Sequence, residues 1–167
     1  KAGAAPSHTL TLRAEKARFL PPAATEAATQ GVRYTYYEGR FARTADIPGG
    51  RRTATGVMPE PSIAGAPQED HFAYLFEGLI RIPRRGIWEF ATKSDDGSVL
   101  LIDGRKVVDN DGSHASVTAT GRVALEAGLH AFELRYFEDY EGQELSWSWK
   151  APGEKAVSYT HLRAHET

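Results

Sequence analysis

From residue 31 onward the chain runs in short stretches of alternating apolar and polar residues, broken by Gly, Asp, Asn and Pro at intervals of about ten residues. Side chains of an extended strand point to opposite faces in turn, so an alternating run buries one face and solvates the other. Phe72, Tyr74 and Phe76 are spaced in this way, as are Trp88, Phe90 and Thr92; Phe132, Leu134 and Tyr136; and Leu145, Trp147 and Trp149. The pattern predicts strands over residues 32–37, 72–82, 87–94, 99–102, 105–109, 121–125, 129–137 and 145–150. No amphipathic helical period competes with it. Burying Phe76, Trp88, Phe132 and Trp147 together needs two facing sheets, so the predicted fold class is all-β, an antiparallel β-sandwich.

The punctuation between these runs sets the turns. Asp103-Gly104 supplies the positive φ angles of a tight hairpin, and Asn110-Asp111-Gly112 repeats that chemistry. Residues 49–68 hold Gly, Pro, Arg and Thr without sustained period and are expected to form a long surface loop. Residues 1–30 combine a short alternating stretch at 9–14 with an Ala-, Pro- and Thr-rich run, and read as the tail of an upstream β domain plus a linker. The main module then covers residues 31–156. Residues 157–167, VSYTHLRAHET, resemble one translated frame of a transposase adaptor used in shotgun sequencing; the alternative is a real terminal strand. Read as an adaptor, they are excluded from functional reasoning, and the spacing of His161 and His165, which on a helix would suggest a zinc pair, then carries no meaning.

Composition narrows the partners more than the chemistry. With 167 residues and 41% hydrophobic content the chain can bury one ordinary core. Twenty basic against twenty-two acidic side chains leave a net charge of -2, which provides no electrostatic footprint for nucleic acid or an anionic membrane surface. No apolar run is long enough for a membrane span. The absence of cysteine excludes disulfides and thiolate metal sites but does not fix the compartment. The chain opens at Lys1 with neither methionine nor a signal-peptide pattern, so its true N-terminus is expected to lie upstream.

Two segments carry candidate chemistry. In Ser94-Asp95-Asp96-Gly97-Ser98, adjacent carboxylates close one strand before the turn into the next. On a regular strand they would point to opposite faces, so convergence on one hard cation such as calcium requires an unusual backbone, for which a cis peptide would serve. The alternative is a solvated acidic turn. The second segment, residues 137–143 (FEDYEGQ), offers Glu138, Asp139, Glu141 and Gln143 beside the aromatic Tyr140; it is either a sugar-binding loop, since an aromatic ring can cover the C–H face of a pyranose, or a polar hairpin loop. Catalysis has less support. No carboxylate pair is singled out for glycoside hydrolysis, and no nucleophile elbow, phosphate-cradling loop or His-Glu-x-x-His helix occurs. His8, His71, His114 and His130 are scattered and read as structural or solvent-facing, and Trp88, Trp147 and Trp149 as core.

The segments HFAYLFEGLIRIPRRGIWEFATKSDDGSVLLIDGRKVVDNDGSHA and GRVALEAGLHAFELRYFEDYEGQELSWSWKAPG resemble the protective-antigen-type module, the PA-fourteen domain. Pro83, Gly86, Asp95, Asp96, Gly97, Asp103, Gly104, Leu125 and Gly128 occupy its recurring positions. The opening GVRYTYYEGRF is similar to modules appended to bacterial β-N-acetylhexosaminidases of glycoside hydrolase family twenty. The resemblance implies a β-sandwich and a non-catalytic role in glycan binding or substrate access, beside a catalytic domain of the same parent chain. It also implies an extracellular, periplasmic or cell-surface setting; a structural spacer or part of an adhesin are the alternatives. In lectin-like members the paired aspartates hold calcium through a cis peptide and the ion meets sugar hydroxyls. Calcium is thus the implied cofactor, with Asp95, Asp96 and Glu138 as metal ligands and Asp95, Asp96, Glu138, Asp139 and Tyr140 toward the sugar. The adhesins carry an Asn where this chain has Glu138 or Asp139, so sugar specificity does not transfer.

Overall fold

The computed structural model describes residues 18–22 and 31–155. The predicted features at residues 9–14, His8, His161, His165 and the terminal segment 157–167 lie outside the described residues. Nine strands follow in order: β1 (Val32–Glu38), β2 (Arg51–Met58), β3 (Phe72–Ile82), β4 (Gly86–Asp95), β5 (Ser98–Ile102), β6 (Arg105–Asn110), β7 (Val117–Leu125), β8 (Gly128–Glu138) and β9 (Glu144–Lys150). They form a six-stranded sheet in the order β2-β1-β3-β8-β5-β6 and a three-stranded sheet in the order β7-β4-β9, and every strand pair is antiparallel. The all-β sandwich is as expected.

The alternating residues build the core between the sheets. Phe72, Phe76, Phe90, Leu134 and Tyr136 are fully buried, and Trp88 nearly so. The large sheet contributes Tyr74 and Phe76 stacked at 5.1 Å. The small sheet contributes Trp147, whose ring lies 4.9 Å from that of Phe132. Leu145 and Trp147 are only partly buried because β9 is the sheet edge. A second cluster, Phe41, Ile47, Ala73 and Phe137, seals the outer face of the large sheet beneath a 3-10 turn over Thr44–Gly49. That turn is pinned by Asp111, which accepts hydrogen bonds from the Thr44 amide and hydroxyl.

The structure corrects the expected loop at residues 49–68. Its first half is strand β2, paired with β1 along seven residues. As the outer edge of the large sheet it is exposed on both faces, so no buried stripe imposes the period by which strands are recognised. Its inward contacts are confined to Gly56, where the Tyr34 ring lies 2.7 Å from where a Cβ would stand, and Met58, which packs against the core. The other correction is in length: β7 begins at Val117, four residues before the expected start, through a segment mostly open to solvent.

At the opposite edge the sheets close on one another. A Cβ at Gly121 of β7 would lie 1.7 Å from the Val107 carbonyl oxygen of β6, so the two backbones touch there and glycine is required. Inside this closure Ser94, Ser98, Thr92 and Asn110 form a buried polar network. Ser94 and Ser98 hydroxyls are 2.7 Å apart, Ser98 donates to Thr92 at 2.9 Å, and the Asn110 amide donates to the Val117 carbonyl at 2.9 Å. The network ties the ends of β4, β5, β6 and β7 directly below the Asp95-Asp96 turn.

Candidate functional site

The ends of β4 and β8 meet at one pole of the sandwich, and there the sequence-predicted carboxylates converge. The Asp95–Asp96 peptide is cis. Asp95, Asp96 and Glu138 each offer one oxygen, and these lie within 4.8 Å of one another. Asp95 is partly exposed, whereas Asp96 is 5% and Glu138 0% exposed. Gly97 makes the turn possible: a Cβ there would stand 2.4 Å from the Phe137 ring and 2.8 Å from the Gly112 carbonyl.

Backbone groups hold Asp96. Its Oδ1 accepts from the His114 amide at 2.9 Å, and its Oδ2 from the Asp139 amide at 2.8 Å. These bonds leave the carboxylate oriented into the cluster. Tyr136, also buried, donates to the Asp95 carbonyl at 2.6 Å and lies 3.1 Å from Glu138 Oε2. Glu138 Oε1 is buried with no hydrogen-bond partner. Burial first, and then the charge of Asp96, push the Glu138 carboxyl up to about 8. Burial and the neighbouring Asp96 also raise Asp95. Burial works against the charge of His114, yet its ring, between the Asn110 and Ala115 carbonyls and near Asp96, is raised on balance.

Such a donor set fits a hard cation. Three carboxylates close together, one of them ending in an orphaned buried oxygen, repel each other until a proton or a cation stands between them. Carboxylate oxygens with no imidazole or thiolate among the clustered ligands are a hard donor set, unsuited to a softer metal.

The loop residues take different places. The Asp139 carboxylate turns away from the cluster toward Arg40 at 3.8 Å, His71 at 3.5 Å and Ser113 at 3.4 Å, so that only its amide serves Asp96. Tyr140 is 61% exposed beside the cluster. The Glu141 amide donates to Asp70, and Gln143 donates to the Glu69 carbonyl, which fastens this loop to the segment before β3. Sequence reasoning missed Tyr136, read only as core, and the His114 amide. The turn Asn110-Asp111-Gly112 was the available signal for the second of these.

A family model for the PA14 domain matches residues 29–160. The chain belongs to the PA14 domain family. PA14 domains are lectin-like and generally non-catalytic. Solved structures agree on the fold. An anti-sigma factor domain-containing protein from Clostridium clariflavum is 21% identical, with a TM-score of 0.64; the match covers 81% of this chain and 45% of that one, so this chain spans under half of that protein's length. The PA14 sugar-binding domain from an RTX adhesin is 18% identical with a TM-score of 0.63, covering 83% of this chain and 100% of that one. The Epithelial Adhesin 9 A domain from Candida glabrata, solved with Galβ1-3GlcNAc, is 9% identical with a TM-score of 0.64, covering 84% and 92%. A search of curated proteins found no match. Among the described residues no helix is long and apolar enough to cross a membrane.

Proposed function

We infer that this PA14 module is a non-catalytic glycan-binding unit whose ligand sits at the acidic pole, on Asp95, Asp96 and Glu138, with Tyr140 and the Asp139 loop beside it. The observation that carries this reading is the convergence of three carboxylates, those of Asp95, Asp96 and Glu138, the last with a buried oxygen, Oε1, that has no hydrogen-bond partner. Calcium bound there would offer open coordination positions to vicinal sugar hydroxyls. The chain's own residues prepare that site: backbone amides of His114 and Asp139 orient Asp96, and Tyr136 fixes the Asp95 carbonyl. Tyr140, exposed and aromatic, is suited to cover an apolar sugar face. The names of the adhesin neighbours support the same ligand class.

The parent we propose is a secreted or surface-displayed protein. The similarity of residues 31–41 to modules of family-twenty glycoside hydrolases makes a β-N-acetylhexosaminidase the leading parent, with the catalytic domain in the same chain, and an adhesin the alternative. A second reading, a spacer without ligand, is favoured by one observation: Glu138, pushed up to about 8, can keep a proton and so relieve the cluster without a cation. Calorimetric titration of the chain with calcium, followed by a glycan array with and without chelator, separates the two. Calcium uptake with array binding supports the glycan-binding unit; no uptake and a blank array leave the spacer.

A further inference from the structure

The pole opposite the carboxylates is built as an anchor. Leu20 forms a parallel bridge with Leu125 at the end of β7. Its amide donates to the Ala124 carbonyl at 2.9 Å, and its carbonyl accepts from the Glu126 amide at 3.0 Å. Beside it the Arg85 guanidinium lies 3.9 Å above the Phe19 ring and pairs with Glu126 at 2.9 Å. Pro22 packs on Gly128, which has φ of 128° and where a Cβ would stand 2.7 Å from the proline ring. Phe19, Leu20 and Pro22 thus make aromatic, backbone and apolar contacts with a single corner of the sandwich.

That corner is itself braced from within. Glu126, whose amide donates to Leu20, has its carbonyl 2.8 Å from Nε2 of the fully buried His130, and His130 Nδ1 is 2.6 Å from Asp103. Asp103 also accepts the Ala131 amide at 3.0 Å. Besides turning its hairpin, this aspartate therefore ties the β5–β6 connection to the start of β8 beneath the anchor. On the other side of the corner the outgoing chain is seated too. Arg84 donates to the Pro152 carbonyl at 2.8 Å, and a Cβ at Gly86 would be 2.3 Å from the Pro152 ring.

Incoming and outgoing chain therefore meet the sandwich at one pole, and the carboxylates lie at the other. The register fixes this, since Gly86 is paired with Leu125 at the anchor end and Asp95 with Glu144 at the acidic end. Strand β4 has ten residues, which at about 3.3 Å each place the poles about 30 Å apart. We propose that residues 18–22 are an orientation-fixing anchor, and that the module holds its acidic pole away from the polypeptide attached at both ends, to meet a glycan carried by another molecule. The last clause rests on the glycan-binding reading; the anchor does not. A module oriented in this way targets a surface rather than shaping the cleft of a domain joined to it.

The test uses the whole chain, which has no cysteine, so introduced thiols label uniquely. Spin labels at Arg18→Cys and Val117→Cys span the two poles, and Arg18→Cys with Ile87→Cys stays at one. The anchor predicts a narrow distribution near 30 Å for the first pair and a clearly shorter one for the second, both broadened when Phe19→Ala and Leu20→Gly are added. Broad distributions with the native residues 19–22 would overturn it. In parallel, particles carrying the chain by a tag ahead of Lys1 are overlaid on the same glycan array as the free chain. Equal binding patterns support outward presentation, and binding by the free chain alone overturns it. If neither binds, the glycan-binding reading has failed and the label distances alone decide the anchor.

Discussion

Replacing Glu138 by Gln tests the acidic pole with the least damage to its frame. Gln keeps the shape, and its carbonyl can still accept from Tyr136, while its uncharged amide nitrogen would take the place of the orphaned Oε1. Without calcium the change removes one of three clustered charges, so the variant should be at least as stable as the parent in chelator at pH 9. With calcium the order should reverse. At free calcium a hundred times its dissociation constant the parent gains about 2.7 kcal/mol. If losing one charged ligand weakens binding about tenfold, the variant gains only about 1.4 kcal/mol, from the same mass-action relation. The difference of about 1.3 kcal/mol corresponds to roughly 4–6 °C in melting temperature for a domain of this size. Scanning calorimetry on both proteins, in chelator and in a calcium series, reads all four values. Identical calcium-induced shifts for parent and variant would refute Glu138 as a ligand, and no shift for either would refute the calcium site.

Other outcomes follow from neighbouring features. In calcium-free buffer Glu138 has a folded pKa raised above its unfolded value, so its contribution is fully present below about pH 4.5 and lost as pH rises through about 8; the melting temperature should decline over that window, and saturating calcium should abolish the decline. Gly97→Ala should destabilise the fold by about 1–3 kcal/mol in urea titration, because the added methyl meets the Phe137 ring and the Gly112 carbonyl. Tyr140→Ala should leave stability within about 0.5 kcal/mol, as the ring is largely solvated, yet weaken array binding; unchanged binding would remove Tyr140 from the site.

Much of this is legible in the sequence where burial writes a period. β3 and β8 pair along eleven residues and alternate cleanly, so both can be read nearly to their ends. β2 leaves no such trace because six of its eight residues are exposed, so that coverage at Gly56 and Met58 is too short to write a period. The carboxylates Asp95, Asp96 and Glu138 are legible as residue types, and adjacency alone raises the question of a cis bond. What holds them is not: the His114 and Asp139 amides are groups every non-proline residue carries, so only the fold distinguishes them. The Asp103–His130 pair is separated by 27 positions, and turn chemistry already gives Asp103 a sufficient reason to exist. Likewise the segment at Phe19 and Leu20, which falls in the stretch expected as an upstream tail plus linker, is fastened by main-chain bonds that composition does not encode.

The contact between Gly121 and the Val107 carbonyl restricts where this module can diversify. With main chain against main chain at that edge, no set of side chains can widen the sandwich into a lined channel without first separating two sheets. Changes in recognition are thereby confined to the loops above the carboxylates, residues 111–116 and 139–143, whose lengths can vary while the strand registers below stay fixed. A library aimed at new ligands should vary side chains within those two loops while keeping Asp111, Gly112, Gly142 and the closed edge.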